Sequence, residues 1–389
     1  MNCNEMEQCR LCGRRCGINR TIRAGRCGMT ERVYAARAAL HMWEEPCISG
    51  KEGSGTVFFT GCPLGCVFCQ NREIALGRRS VSQGSGASSS GGPVPADPPT
   101  GRPFSETLAG RPFSETLAGR PFSETPAGKP FSETPVGKPF SETPAGKPFF
   151  ETPAGSRSRD EIIGVPVTEE QLAETFLNLE RQHANNINLV TPTHFVPQII
   201  RSVRIARERG LTVPIVYNTG SYETEETVSS LKGTVDIFLP DLKFMDPDIS
   251  GRYAKAPDYF EVAERAIRGM VEIAGQPAFD DRGMMKRGVI VRHMVLPGHT
   301  KDSKRIISYL HKTYGEKIYV SIMNQYTPMP GIGDEYPELA RRVTKREYGR
   351  VVDYAIELGM ENVFIQEGPT AAESFIPDFD GTGLILRGD

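Results

Sequence analysis

The stretch FFTGCPLGCVFCQN, residues 58–71, places Cys62, Cys66 and Cys69 at C-x-x-x-C-x-x-C spacing directly after an apolar run. Three thiolates on one short loop are one ligand short of a closed tetrahedral site. Structural zinc favours pairs of close cysteines, whereas a three-thiolate loop suits an iron-sulfur cubane with one iron left open. A zinc site completed from afar and a chance cysteine-rich turn are the competing readings.

The run leading into that loop, residues 56–60, is the first of six. The others are 187–191, 214–217, 235–239, 289–296 and 318–323, apolar and rich in β-branched residues, as buried parallel strands are. Between them lie amphipathic helices with start signals. Thr168 with Gln171 and Thr344 with Glu347 read as capping boxes, and Asp258 with Glu261 resembles one. Gly210, Gly315 and Gly359 stand where helices should stop. Six βα units predict an α/β fold, an open and partial (β/α)6 version of the barrel, whose working face is the rim where strands end. The cysteine loop follows the first strand onto that rim.

The chain has 389 residues and a formal net charge of −2, which gives no electrostatic footprint for nucleic acid or an anionic membrane. No apolar run approaches the roughly 18 residues needed to span a bilayer. The polar start MNCNEMEQCR has no signal-peptide pattern, so a cytoplasmic protein is expected. All nine cysteines fall within the first 69 residues, seven of them in two tight clusters, which in a reducing compartment points to metal binding or catalysis.

Between residues 101 and 154 a nine-residue unit, GRPFSETLA and its variants, runs six times after the stretch SQGSGASSSGGPVPADPP. Each copy has too little apolar surface to offset the entropy of ordering. Residues 82–160 are therefore expected to be a disordered low-complexity insertion. The expected domains are a Cys-rich segment over 1–50 and a barrel over 51–81 and 161–389.

With an aromatic residue before the third cysteine, GCPLGCVFCQN resembles the radical S-adenosylmethionine superfamily, in particular the subgroup around pyruvate formate-lyase activating enzyme. NNINLVTPTHFVPQI, PIVYNTGSYE, VDIFLPDLKFMD, VIVRHMVLPGH and YVSIMNQYTPMP are similar to the uncharacterised activating-enzyme-like branch of that subgroup. The resemblance implies a [4Fe-4S] cluster on Cys62, Cys66 and Cys69 whose fourth iron chelates S-adenosylmethionine. It implies reductive cleavage to a 5′-deoxyadenosyl radical and hydrogen abstraction from a substrate. That substrate would be a glycyl-radical enzyme or a small molecule or peptide, and the reductant a flavodoxin or ferredoxin.

By the same resemblance, Phe68 would lie near the adenine, Asn218 and Gly220 near the cofactor, and Asp241 and Lys243 near its ribose and methionine parts. Packing, a turn and a partly buried ion pair are their respective plain alternatives. Arg292 matches an arginine that forks onto the methionine carboxylate, which its planar geometry suits. His293 alternates to the opposite face, as a satisfied core histidine would. Activating enzymes usually end the second strand with Gly-Gly-Glu, but this chain has VTPTH; Thr191 and Thr193 can accept hydrogen bonds there without supplying a carboxylate. Gln325, Tyr326 and Gln366 fall at later strand ends, as pocket or loop residues.

Cys9, Cys12, Cys16 and Cys27, in CRLCGRRCGINRTIRAGRC, have ligand-like spacing that suits either a closed zinc site or a second iron-sulfur cluster. Four unliganded thiols is the plain alternative. Cys3 and Cys47 have no partner at suitable spacing. Ahead of the first strand, Trp43 is expected to pack, with Glu44 and Glu45 solvated. A binding protein stapled by two metal sites, without radical chemistry, is the competing function.

Overall fold

The computed structural model describes residues 5–75, 162–366 and 377–386. The expected insertion, 82–160, lies outside the described residues. Among the described residues, ten strands form the sheet: β1 (Val33–His41), β2 (Ser54–Phe59), β3 (Val165–Val167), β4 (Ile187–Val190), β5 (Ile215–Thr219), β6 (Ile237–Pro240), β7 (Ala278–Phe279), β8 (Met285–Met294), β9 (Tyr319–Met323) and β10 (Val363–Ile365). Their spatial order is β10-β9-β8-β6-β5-β4-β2-β1-β3, with β7 paired to β8. From β2 to β10 every step along this order is parallel, while β1 and β3 extend the sheet antiparallel. The fold is α/β with a mixed, mostly parallel sheet, and all six expected strand positions fall within it.

Helices α1 (Pro46–Ser49), α2 (Arg72–Ala75), α3 (Glu169–Arg181), α4 (Val196–Glu208), α5 (Glu225–Ser230), α6 (Pro247–Ala254), α7 (Tyr259–Ala274), α8 (Thr300–Tyr314) and α9 (Lys345–Glu357) complete the described elements. The capping boxes at Thr168 and Thr344 both form, fixing where α3 and α9 begin. Asp258 does not cap α7: its carboxylate instead accepts from the Tyr222 hydroxyl at 2.6 Å, so a long-range partner takes the oxygen that the local pattern assigned to the helix. None of the described helices is long and apolar enough to cross a membrane.

Strand alternation divides the core in two. Tyr217, Phe238, Val289 and Val291 join the large cluster shared with the helices, whereas Val216, Ile237, Leu239 and Ile290 form a separate cluster with Cys47 and Ile48. Cys47 and Ile48 belong to α1, so this short helix packs against the sheet face opposite the large cluster. Its neighbour Asn186 donates to the Ile48 carbonyl, and Asn185 to that of Ser49, fastening α1 to the start of β4. The expected boundary at residue 50 therefore places β1 and α1 outside a core to which both contribute.

Candidate active site at the strand ends

A cavity of about 270 Å³ opens at the C-terminal edge of the parallel strands. Cys62, Cys66 and Cys69 line it from the loop after β2, together with Phe68 of that loop. Thr191 follows β4, Asn218 ends β5, Gly220 follows it, and Asp241 with Lys243 follows β6. Arg292 completes the lining from β8.

Backbone conformation shapes this rim. Thr191 adopts φ +58°, which a β-branched residue occupies only under strain, and its amide donates to the Asn218 carbonyl at 2.9 Å. At Gly220 a Cβ would stand 2.9 Å from Leu64, so the β5 end approaches the cysteine loop as closely as glycine permits.

The charged floor is one connected group. Arg292 donates from Nε to Asp241 Oδ1 at 2.9 Å, from one terminal nitrogen to Glu44 Oε2 at 3.2 Å, and from the other to Asn218 Oδ1 at 2.5 Å. Lys243 Nζ lies 2.5 Å from Asp241 Oδ2. Burial opposes the charge on each member, but opposite charges outweigh it. Asp241 is held below its ordinary value by Arg292 and then Lys243, while Lys243 and Arg292 are each raised chiefly by Asp241.

The three loop thiols are partly exposed toward the cavity and otherwise enclosed. Burial pushes Cys69 up to about 12, with Cys66 adding to the shift and Lys243 opposing it. Cys62 is raised by burial and then by Cys66 and Cys69; Cys66 is raised by burial against the pull of Lys243. Left to themselves these are protonated thiols, and a bound positive centre is what would make them thiolates. Among the described residues, no three His, Cys, Asp or Glu side chains are grouped to hold a single metal ion.

Several expectations change here. Thr193 does not line the cavity: its hydroxyl donates to the buried carboxylate of Glu223 at 2.5 Å, because the chain turns into a short 3-10 helix after Thr191 and aims the side chain away. Glu44 and Glu45 are not solvated. Glu44 is 10% exposed and bound by Arg292 and by Asn188, which donates at 2.9 Å, while Glu45 is buried and raised by that burial. Trp43, expected to pack, is 51% exposed at the cavity's edge. Gln325 lines the cavity, but the Tyr326 hydroxyl donates to the Leu339 carbonyl and Gln366 accepts from the Asn324 amide, both away from it. His293 is a satisfied core residue, with Leu242 O at 2.8 Å and Ser303 Oγ at 2.9 Å. Phe68 is buried and meets Phe244 and Tyr326 edge-on, so most of its surface packs. Glu44 is a charged site residue that sequence reasoning missed, as it missed the lining residues His41, Asn71 and Met294; for Glu44 its place in the Trp43-Glu44-Glu45 run was the available signal.

Cys9, Cys12, Cys16 and Cys27 lie outside the cavity. Cys9, Cys12 and Cys27 are buried and Cys16 is partly so.

No family model matches the chain. An uncharacterised protein of Methanocaldococcus jannaschii is 22% identical over 364 residues, covering 93% of this chain and 78% of that protein. Among solved structures, a domain of pyruvate-formate lyase-activating enzyme from Bacteroides vulgatus is 14% identical with a TM-score of 0.32, covering 45% of this chain and 91% of that one. HydG, a maturase of the [FeFe]-hydrogenase, is 15% identical with a TM-score of 0.39, covering 56% and 49%. At these scores the likenesses carry no argument about activity.

Proposed function

We propose that this chain is a radical S-adenosylmethionine enzyme in which Cys62, Cys66 and Cys69 hold a [4Fe-4S] cluster. The observation that carries the reading is that three loop thiols share one strand-end cavity with Asn218, the Asp241-Lys243 pair and Arg292. The donor set fits the group: the thiols need positive charge to ionise, and an iron-sulfur centre supplies it. With S-adenosylmethionine on its open iron, such a cluster supplies one-electron cleavage of a carbon-sulfur bond and a 5′-deoxyadenosyl radical that takes a hydrogen atom from substrate.

The chain's own residues bind, orient and enclose. Arg292 is held charged and uses three of its five N–H donors within the protein, leaving two for a carboxylate. Lys243 is a fixed cation next to Asp241 and within electrostatic reach of Cys66. Asn218 and Gly220 bring an amide side chain and a side-chain-free backbone to the same cavity. Phe58, Leu64 and Leu296 line the same space with apolar surface, which keeps water from a reactive centre.

Metal analysis tests the reading. Anaerobically reconstituted wild-type chain is expected to hold about four more irons than a Cys62→Ala/Cys66→Ala/Cys69→Ala variant. Zinc in place of that iron would favour a stapled binding protein. Substrate class follows from deuterium transfer into 5′-deoxyadenosine, comparing a glycyl-radical protein with small molecules and peptides; flavodoxin and ferredoxin are the reductants to compare.

A further inference from the structure

Away from the cavity, residues 5–30 build a compact cysteine-lined fold around a buried cation. Cys9 and Cys16 are brought together by a hairpin in which the Cys9 amide donates to Ile18 O at 3.0 Å and the Gly17 amide to Cys9 O at 2.9 Å. Within it the Arg15 amide closes a turn on Cys12 O at 2.9 Å. Cys27 returns to this hairpin through a second turn, where the Gly25 amide donates to Met29 O at 2.9 Å. Cys16 Sγ lies 4.0 Å from the Cys9 carbonyl oxygen, and Cys27 Sγ 3.9 Å from that of Met29, the same carbonyl that Arg20 Nε holds at 3.2 Å.

At the centre is Arg20, with no exposed surface. Its guanidinium donates to the carbonyls of Met29 at 3.2 Å, Thr30 at 2.6 Å and His194 at 2.5 Å, and stands 3.9 Å from Cys9 Sγ. Among the described residues, no carboxylate lies within ion-pair distance of it. A fully buried cation without an anion is strongly disfavoured. The groups around it that can become anionic are the cysteines, and an iron-sulfur cluster held by four thiolates carries net negative charge because the thiolates outnumber the positive charges of its core. The same centre accounts for how a segment whose own apolar cluster comprises Met6, Cys9 and Leu11, with Cys16 against it, stays folded.

We propose that Cys9, Cys12, Cys16 and Cys27 hold a second metal centre, fully ligated by cysteine, with Arg20 as its buried counter-ion. The centre takes an iron-sulfur cluster rather than a single ion, because among the described residues no three His, Cys, Asp or Glu side chains are grouped to hold one ion. It also props the cysteine loop of the cavity. Arg14 donates from Nε to Pro63 O at 2.8 Å, and a Cβ on Gly61 would stand 2.8 Å from Cys27 O. This inference goes beyond the radical reading and does not require it.

The experiment uses the full-length Cys62→Ala/Cys66→Ala/Cys69→Ala chain, purified without oxygen and then incubated with zinc or with iron and sulfide. The expected result is one cluster with its brown absorbance retained per chain after iron and sulfide, and no stoichiometric zinc. Alkylation followed by mass spectrometry should find Cys9, Cys12, Cys16 and Cys27 all protected when loaded and all reactive after chelation, a readout that needs no further variant. Arg20→Gln should release the metal to a chelator at least tenfold faster, with Arg20→Lys nearer to the unaltered rate. A chain that retains no cluster, one that holds zinc in its place, or protection of fewer than these four thiols would overturn the proposal.

Discussion

Arg292 and Asp241 are 51 residues apart in sequence, yet the guanidinium Nε donates to the carboxylate at 2.9 Å with both side chains at most 15% exposed. Removing Arg292 leaves the enclosed Glu44 carboxylate without its cation and Asp241 with Lys243 alone. Arg292→Ala should therefore cost about 3–5 kcal/mol in denaturant unfolding. Arg292→Lys keeps the charge but cannot reach Asp241, Glu44 and Asn218 together, and should recover only part of that loss. Equal stability of Arg292→Ala and wild type would show that the pair does not form.

Acidification should reveal two separate windows. His293 and His194 are kept neutral by burial, at about 4 and about 3 against the usual 6.5. Between those values the unfolded chain binds protons that the native chain refuses, so their contribution is complete above pH 6.5 and is lost as the pH falls, toward 4 for His293 and toward 3 for His194. For His293 the loss is on the order of 3 kcal/mol. Asp241, held below its usual 3.8, contributes fully above that value and loses its contribution as the pH falls further, through its native value. Urea unfolding at stepped pH checks this, and His293→Gln should flatten the upper window. A stability that stays level from pH 6.5 to 4 would contradict it.

Gly61 sits at φ +93° immediately before Cys62, where a Cβ would meet Met29 Cγ at 2.4 Å. Gly61→Ala combines left-handed backbone strain with that collision, so it should destabilise the fold by about 1–3 kcal/mol and speed metal loss from the cavity loop. The unfolding midpoint and iron release to a chelator measure the two effects.

Deleting residues 82–160 should leave cofactor cleavage intact. β2 is paired on both edges, by β1 and β4, and β3 is held by β1, all within the described residues. Product release by the shortened chain at a rate within twofold to threefold of wild type is expected; abolished cleavage would assign the repeats a part in the site.

What was legible in the sequence was whatever local chemistry determines. Runs such as 187–191 and 235–239 are apolar on both faces because helices cover one side of the sheet and the α1 cluster and polar floor the other, and the boxes at Thr168 and Thr344 close within four residues. The thiol triad announced itself by spacing. What stayed hidden depended on distant partners. Glu44 reads as a solvated charge until Arg292, 248 residues away, takes up its carboxylate. Asp258 reads as a cap until Tyr222 claims it, and Thr193 as a rim residue until Glu223 draws it inward. Arg20 gives no sign in sequence that it is the most enclosed charge in the N-terminal segment.

The most direct test of the central claim is anaerobic incubation of reconstituted protein with dithionite and S-adenosylmethionine, followed by chromatography for 5′-deoxyadenosine. Wild-type protein is predicted to release the nucleoside together with methionine, and Cys66→Ala to release none. Release undiminished in Cys66→Ala, or none from a wild-type protein whose iron-sulfur cluster is spectroscopically intact and reduced, would contradict the account.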